Sequence, residues 1–323
     1  MAKKFDYQMI PTNGVELRAV VRGEGPLVIM VHGFPESWYS WRHQIDPVAE
    51  AGYQVVALDV RGYGGSSKLE AIRDYAMTEL VNDLLGVMDH FKADKAVLFG
   101  HDWGAPIVWN TAALHPERVA GVVGLSVPWL PAADVSATDL WRDLYADRFF
   151  YQTYFQPPGQ AEAELDQDVR KSLRVIYYNL SGAVRKNTWL KKKPIDAKLM
   201  DGLEDPGEMP DWMTPDDLDF YTNEFMLDGF ETALNRYRAQ DIDFEALPEL
   251  RGARITVPCG FIAGSKEIVL SFIPGVDVVA NMEAHVDDLR LKKMIKGAGH
   301  WIQQEAPEET TSALLKFLKK LDG

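Results

Sequence analysis

The stretch Lys95-Ala96-Val97-Leu98-Phe99-Gly100-His101-Asp102-Trp103-Gly104-Ala105-Pro106-Ile107-Val108-Trp109-Asn110-Thr111-Ala112-Ala113-Leu114 decides the fold. Lys95 to Phe99 is a short apolar run of the kind that makes a buried parallel strand, and Pro106 to Leu114 is long enough for a helix. Between them, the small residues Gly100, Gly104 and Ala105 let the chain turn sharply and bring the helix close to the strand. Such a turn thrusts its middle residue out at the strand's C-terminal end, and where it presents a nucleophile that residue is commonly Ser. Here it is Asp102. The plain alternative is an Asp that merely caps the helix.

If Asp102 is a nucleophile, the chemistry follows. A serine attacking an sp3 carbon would leave an ether, whereas a carboxylate leaves an ester that activated water can open. Asp102 therefore points to alkyl rather than acyl transfer. It needs no base to ionise at neutral pH, and the helix N-terminus behind it favours the anion.

Around this turn the chain alternates strand and helix. Phe5 to Met9 and Val15 to Arg22 flank Asn13-Gly14, a hairpin signal. Leu27 to Val31 and Tyr53 to Leu58 read as buried strands. Ser37 caps a predicted helix running towards Glu50, Thr78 to Phe91 reads as an amphipathic helix, and Val119 to Ser126 is a further strand. From Trp129 to Pro248 the pattern turns helical, with helices predicted over Asp139 to Phe150, Gln160 to Tyr178 and Pro215 to Arg238, the last broken at Gly229. Strands resume at Ile255 to Ala263 and Leu289 to Ile295, and a final helix starts near Pro307. The expectation is an α/β fold, a mostly parallel sheet with helices on both faces, in three parts: core over 1–128, a helical lid or cap over 129–248, and core again over 249–323.

Composition limits the partners. The 323 residues hold 48 acidic against 34 basic side chains, a net charge of −14, which repels phosphate backbones and anionic membranes. Nucleic acid is excluded as an expected partner, and a neutral small substrate is accommodated more easily. The single Cys259 rules out an internal disulfide framework. No apolar h-region follows Lys3-Lys4 and no apolar run reaches a membrane span, so the expected location is cytoplasmic. A homodimer is left open.

An alkyl-enzyme ester needs a base for its hydrolysis. Gly299-His300-Trp301 places His300 in a loop at the same sheet edge as Asp102; a surface histidine is the bland alternative. Glu267, just past the preceding strand, is positioned to orient that histidine. The order Asp, Glu, His suits nucleophile, acid, base. Backbone N–H groups of Phe34 and Trp103 are candidates for the oxyanion hole, and Phe34-Pro35 for a cis bond.

These residues resemble the α/β-hydrolase-fold epoxide hydrolases of the soluble type. His32-Gly33-Phe34-Pro35 matches that family's oxyanion motif, Gly100-His101-Asp102-Trp103-Gly104 its nucleophile motif and Gly299-His300-Trp301 its base motif. The resemblance implies ring-opening tyrosines at Tyr151, within Phe150 to Gly159, and at Tyr237, within Leu234 to Arg238; with 12 tyrosines in the chain, either could instead be a lid packing residue. It implies an apolar epoxide and water as substrates, contacts from Phe34, Pro35 and Trp103, no cofactor and no metal. Two positions depart from the family: Glu267 stands where Asp is usual, and Arg236 where Trp is frequent. A haloalkane dehalogenase would share Asp102 and His300 but needs halide-binding N–H donors, and Phe34 occupies a position where Asn or Glu is usual there. A fluoroacetate dehalogenase would place arginines near the nucleophile, where Trp103 stands. A non-catalytic ligand receptor on the same scaffold is the alternative from another class.

Overall fold

The computed structural model describes residues 6–185 and 188–321; Met1–Phe5, with which the first predicted strand begins, lie outside them. Eight strands form one sheet: β1 (Tyr7–Thr12), β2 (Val15–Arg22), β3 (Leu27–Val31), β4 (Gln54–Leu58), β5 (Ala96–His101), β6 (Val119–Leu125), β7 (Cys259–Gly264) and β8 (Leu289–Ile295). Their order is β1-β2-β4-β3-β5-β6-β7-β8. β1 pairs with β2, and β2 with β4, antiparallel; every other pairing is parallel.

Strand alternation builds two cores. Ile29, Val31 and Leu98 point into one cluster, under α2 (Met77–His90) and α3 (Gly104–Leu114). Val28, Met30, Val97 and Phe99 point into the other, under α1 (Ile45–Glu50) and the C-terminal helix Pro307–Lys319. Continuous apolar runs suit strands covered on both faces.

Between β6 and β7 the described chain is helical: α4 (Ala137–Leu144), α5 (Tyr151–Tyr154), α6 (Glu162–Leu165), α7 (Val169–Leu180), α8 (Pro215–Met226), α9 (Glu231–Arg238) and α10 (Gln240–Ala246). α11 (Val278–Ala284) precedes β8, and α12 (Ile302–Glu305) and α13 (Pro307–Lys319) close the chain.

Several predicted elements are shorter than periodicity suggests. Ser37 caps only the 3-10 turn Trp38–Trp41, and α1 starts afresh at Ile45. The helix expected to Phe150 ends at Leu144, where Tyr145 leaves helical geometry at φ −118°, and a new short helix starts only after the extended Phe150. The helix expected over Gln160 to Tyr178 is two, since the Asp168 side chain caps a new start by accepting from Lys171 N–H. Gly229, at φ +69°, does separate α8 from α9. The strand expected from Ile255 starts at Cys259; Ile255 makes only an isolated bridge to Val286.

Candidate active site

Asp102 stands at the end of β5 with φ +49°, left-handed backbone that a non-glycine residue adopts only under tertiary constraint. Gly104 shows what constrains it: a Cβ there would run into the Val31 carbonyl, and one at Gly100 into the Gly104 carbonyl. A Cβ on Gly33 would run into Asp102 itself. The three glycines are what let β3, β5 and α3 converge around one side chain.

Loops from three strands meet that side chain. Phe34 N–H, after β3, donates to Asp102 Oδ1 at 2.7 Å. His300, after β8, lies with Nε2 3.3 Å from Asp102 Oδ2, and its Nδ1 is 3.0 Å from both carboxylate oxygens of Glu267, after β7. The longer Glu side chain thus reaches the imidazole with both oxygens, and its Oε1 also accepts from Val269 N–H. Phe34-Pro35 is cis.

Above them stand two phenols from the helical insertion. The Tyr151 and Tyr237 rings, from α5 and α9, are 6.0 Å apart, and Tyr237 packs edge-on against Phe34 and Trp103. Gln152 Nε2 donates to the Tyr151 hydroxyl at 2.9 Å, leaving its proton free to be given away.

Electrostatics sort the roles. Burial alone would raise the Asp102 carboxyl, but the His300 hydrogen bond and charge outweigh it and hold the group below the ordinary carboxylate range. Burial would lower His300, yet Glu267 and Asp102 together raise it well above the usual imidazole value. Burial, reinforced by the Asp102 charge, pushes both phenols up, so each stays protonated and able to donate.

Two cavities flank Asp102. One of about 170 Å³ runs past Trp103, Pro106, Val127, Pro128 and Trp141; the other, about 20 Å³, lies towards His300, Phe34 and Tyr237. Tyr151, Val269 and Phe272 border both.

The profile of the alpha/beta hydrolase fold family matches residues 26–244. Over 98% of this chain and 98% of the relative, the sequence is 44% identical to epoxide hydrolase A of Mycobacterium tuberculosis. Among solved structures, epoxide hydrolase A from Mycobacterium thermoresistibile superposes with a TM-score of 0.92 at 44% identity, covering 98% of each chain. An epoxide hydrolase from an endophytic Streptomyces gives 0.94 at 41% identity, covering 99% of this chain and 97% of its own. The chain belongs to the epoxide hydrolases of the α/β-hydrolase fold.

This epoxide hydrolase surrounds its Asp102, His300 and Glu267 with polar groups that a sequence reading misses. Buried Glu36, one residue past Pro35, accepts from Gly33 N–H at 3.0 Å and is 2.8 Å from His101 Nδ1, while His101 Nε2 is 2.8 Å from the His300 carbonyl. Ser126, at φ +66° after β6, donates to the same carbonyl at 2.8 Å. Glu305 accepts three backbone N–H bonds, from Gly182 (2.7 Å), Gly299 (3.0 Å) and Trp301 (3.0 Å). The only available signal is position, His101 inside the nucleophile motif and Glu36 immediately after the oxyanion motif; nothing near Glu305 or Ser126 reveals a partner far along the chain. Arg236, at the family's frequent Trp position, lays its guanidinium 4.8 Å over the Trp103 ring and pairs with Asp243. Among the described residues no helix is long and apolar enough to cross a membrane, and no group of side chains is arranged to hold a metal ion.

Proposed function

We propose that this enzyme adds water to an apolar epoxide through an ester on Asp102, with the helices of the insertion serving as the lid that carries the proton donors. The observation that carries this reading is the pair of protonated phenols, Tyr151 and Tyr237, lining the smaller cavity together with an ionised carboxylate, Asp102. An epoxide opens to an alkoxide, a poor leaving group unless it receives a hydrogen bond or a proton as the C–O bond breaks. A halide needs no such proton. The Phe34 side chain, packed edge-on against Tyr237, offers no N–H for one.

The steps balance as follows. Both phenols hold the epoxide oxygen while an Asp102 oxygen attacks a ring carbon from the opposite side. The C–O bond breaks, a phenol proton passes to the alkoxide, and a hydroxyalkyl ester remains. His300, oriented by Glu267, takes a proton from water as that water attacks the ester carbonyl. The oxyanion forms where the Phe34 N–H already points, with Trp103 N–H as the second donor. As the tetrahedral intermediate collapses, His300 gives its proton to the departing ester oxygen, completing the vicinal diol, and the Asp102 carboxyl left behind ionises, its proton restoring the phenol.

The test is a parallel assay with styrene oxide and 1-bromobutane, following diol and bromide. Diol without bromide is expected; bromide without diol would hand the site to dehalogenation, and neither would favour the ligand-receptor reading. Asp102→Asn should abolish diol formation, and His300→Gln should give one ester per enzyme and then stall.

A further inference from the structure

Resting on the epoxide reading, we propose that Trp189 restricts this enzyme to epoxides bearing a single bulky substituent, by keeping the His300 side of the site no larger than the attacking water. Asp102 sits between two cavities that differ about eightfold in size. The larger, at about 170 Å³, is walled mostly by apolar groups, with Gln152 and Gln240 as polar exceptions beside Asp102, and is of the size that holds an aromatic ring, since about 150 Å³ accommodates benzene in an apolar cavity. The smaller, at about 20 Å³, exceeds only slightly the roughly 10–15 Å³ that one water requires. It borders His300, which needs a water beside it once the ester has formed. A phenyl group placed there would clash with the walls and displace that water.

Of the walls of the smaller cavity, Phe34, Tyr237 and His300 belong to the site, and Phe155 and Ile176 are each only 1% exposed within the main core. Trp189 is different. It lies in the segment between α7 and α8, is half-buried, and closes the cavity by setting its ring 5.6 Å from the Tyr151 ring. Its indole lies outside the fully buried core, and unlike Phe272, which borders both cavities, it walls only the smaller one. A monosubstituted epoxide puts its substituent in the large cavity and its CH2 end towards His300. A trans-disubstituted epoxide with two aryl groups needs both cavities at once.

The experiment compares kcat/KM for styrene oxide and trans-stilbene oxide in the native enzyme, Trp189→Phe and Trp189→Ala. The native enzyme should prefer styrene oxide by at least about a hundredfold, since a tight apolar pocket discriminates some 10- to 200-fold for a single methylene. Trp189→Ala should move the ratio at least about tenfold towards stilbene oxide, with Trp189→Phe between. Similar efficiency on both substrates in the native enzyme, which requires no variant to fold, overturns the proposal and leaves the epoxide reading intact. So does a ratio unmoved in a folded Trp189→Ala enzyme that hydrolyses styrene oxide. Absence of diol from either epoxide removes the reading beneath the proposal, and the proposal with it.

Discussion

Asp102 and His300 change each other's charge during the proposed reaction. In the free enzyme His300 faces two carboxylates, and together they hold its proton against the pull of burial. Esterification neutralises Asp102 and leaves only Glu267, so the imidazole loses proton affinity at the step that needs a base. The sign follows. Ring opening depends on an Asp102 carboxyl held below its ordinary range and should stay level across neutral pH. Ester hydrolysis needs neutral His300 and should slow as pH falls through the imidazole's titration in the ester form. The fraction of enzyme trapped as ester at steady state should therefore rise on acidification, read by acid quench and mass spectrometry; a fraction constant over roughly pH 5 to 9 would contradict the assignment of His300 as base. The phenols separate from this pair kinetically. Tyr151→Phe or Tyr237→Phe should each slow ring opening by about a hundredfold while leaving hydrolysis of the ester unchanged, because general-acid assistance contributes on that scale. Equal slowing of both steps in stopped-flow traces would show a packing role instead.

The loop carrying His300 is held by α12, through a carboxylate that accepts backbone N–H groups from both sides of the base and from the insertion. Two effects compete in Glu305→Gln. Burial raises the Glu305 carboxyl, so a neutral amide escapes a desolvation cost. An amide has one acceptor oxygen for three donors, however, and each buried N–H left unpaired costs about 1–3 kcal/mol. The second effect should win, lowering stability in urea and slowing ester hydrolysis more than ring opening. A stability gain would show that desolvation dominates. This contact also marks what can be read from sequence. The turn around Asp102 is legible because its constraint is local: Gly100 and Gly104 are glycine where a Cβ would meet main-chain carbonyls that cannot step aside. Glu305 is illegible because two of its donors adjoin the base and the third lies 123 positions away. The insertion's helices depart from their periodicity for a related reason. Periodicity persists through Asp166 to Asp168, but the Asp168 side chain captures the Lys171 N–H and starts a new helix at Val169.

The insertion and the sheet are joined by buried polar contacts as well as by a shared apolar cluster. Tyr177 donates to the Pro35 carbonyl, Thr232 to the Gly62 carbonyl, and Arg18 of β2 bridges Asp59 and Glu224. A further link is Arg236, 3% exposed, which donates to the Tyr75 carbonyl and pairs with Asp243, while Asp243 also accepts from Met77 N–H at the start of α2. The helix carrying Tyr237 is thereby fastened to the core one residue before the phenol. Removing one member strands the other: Asp243→Ala leaves a buried guanidinium without its counter-ion and should cost roughly 3–5 kcal/mol of stability. Arg236→Met added to Asp243→Leu removes both charges and should recover much of that loss, since an apolar pair of similar volume often matches a buried ion pair. Recovery of stability without recovery of ring opening would mean that the link's main service is to aim Tyr237 and Trp103, and equilibrium unfolding measured beside single-turnover rates separates the two. Equal stability of the native enzyme and Asp243→Ala would show that water reaches the pair and that the insertion is held by its other contacts.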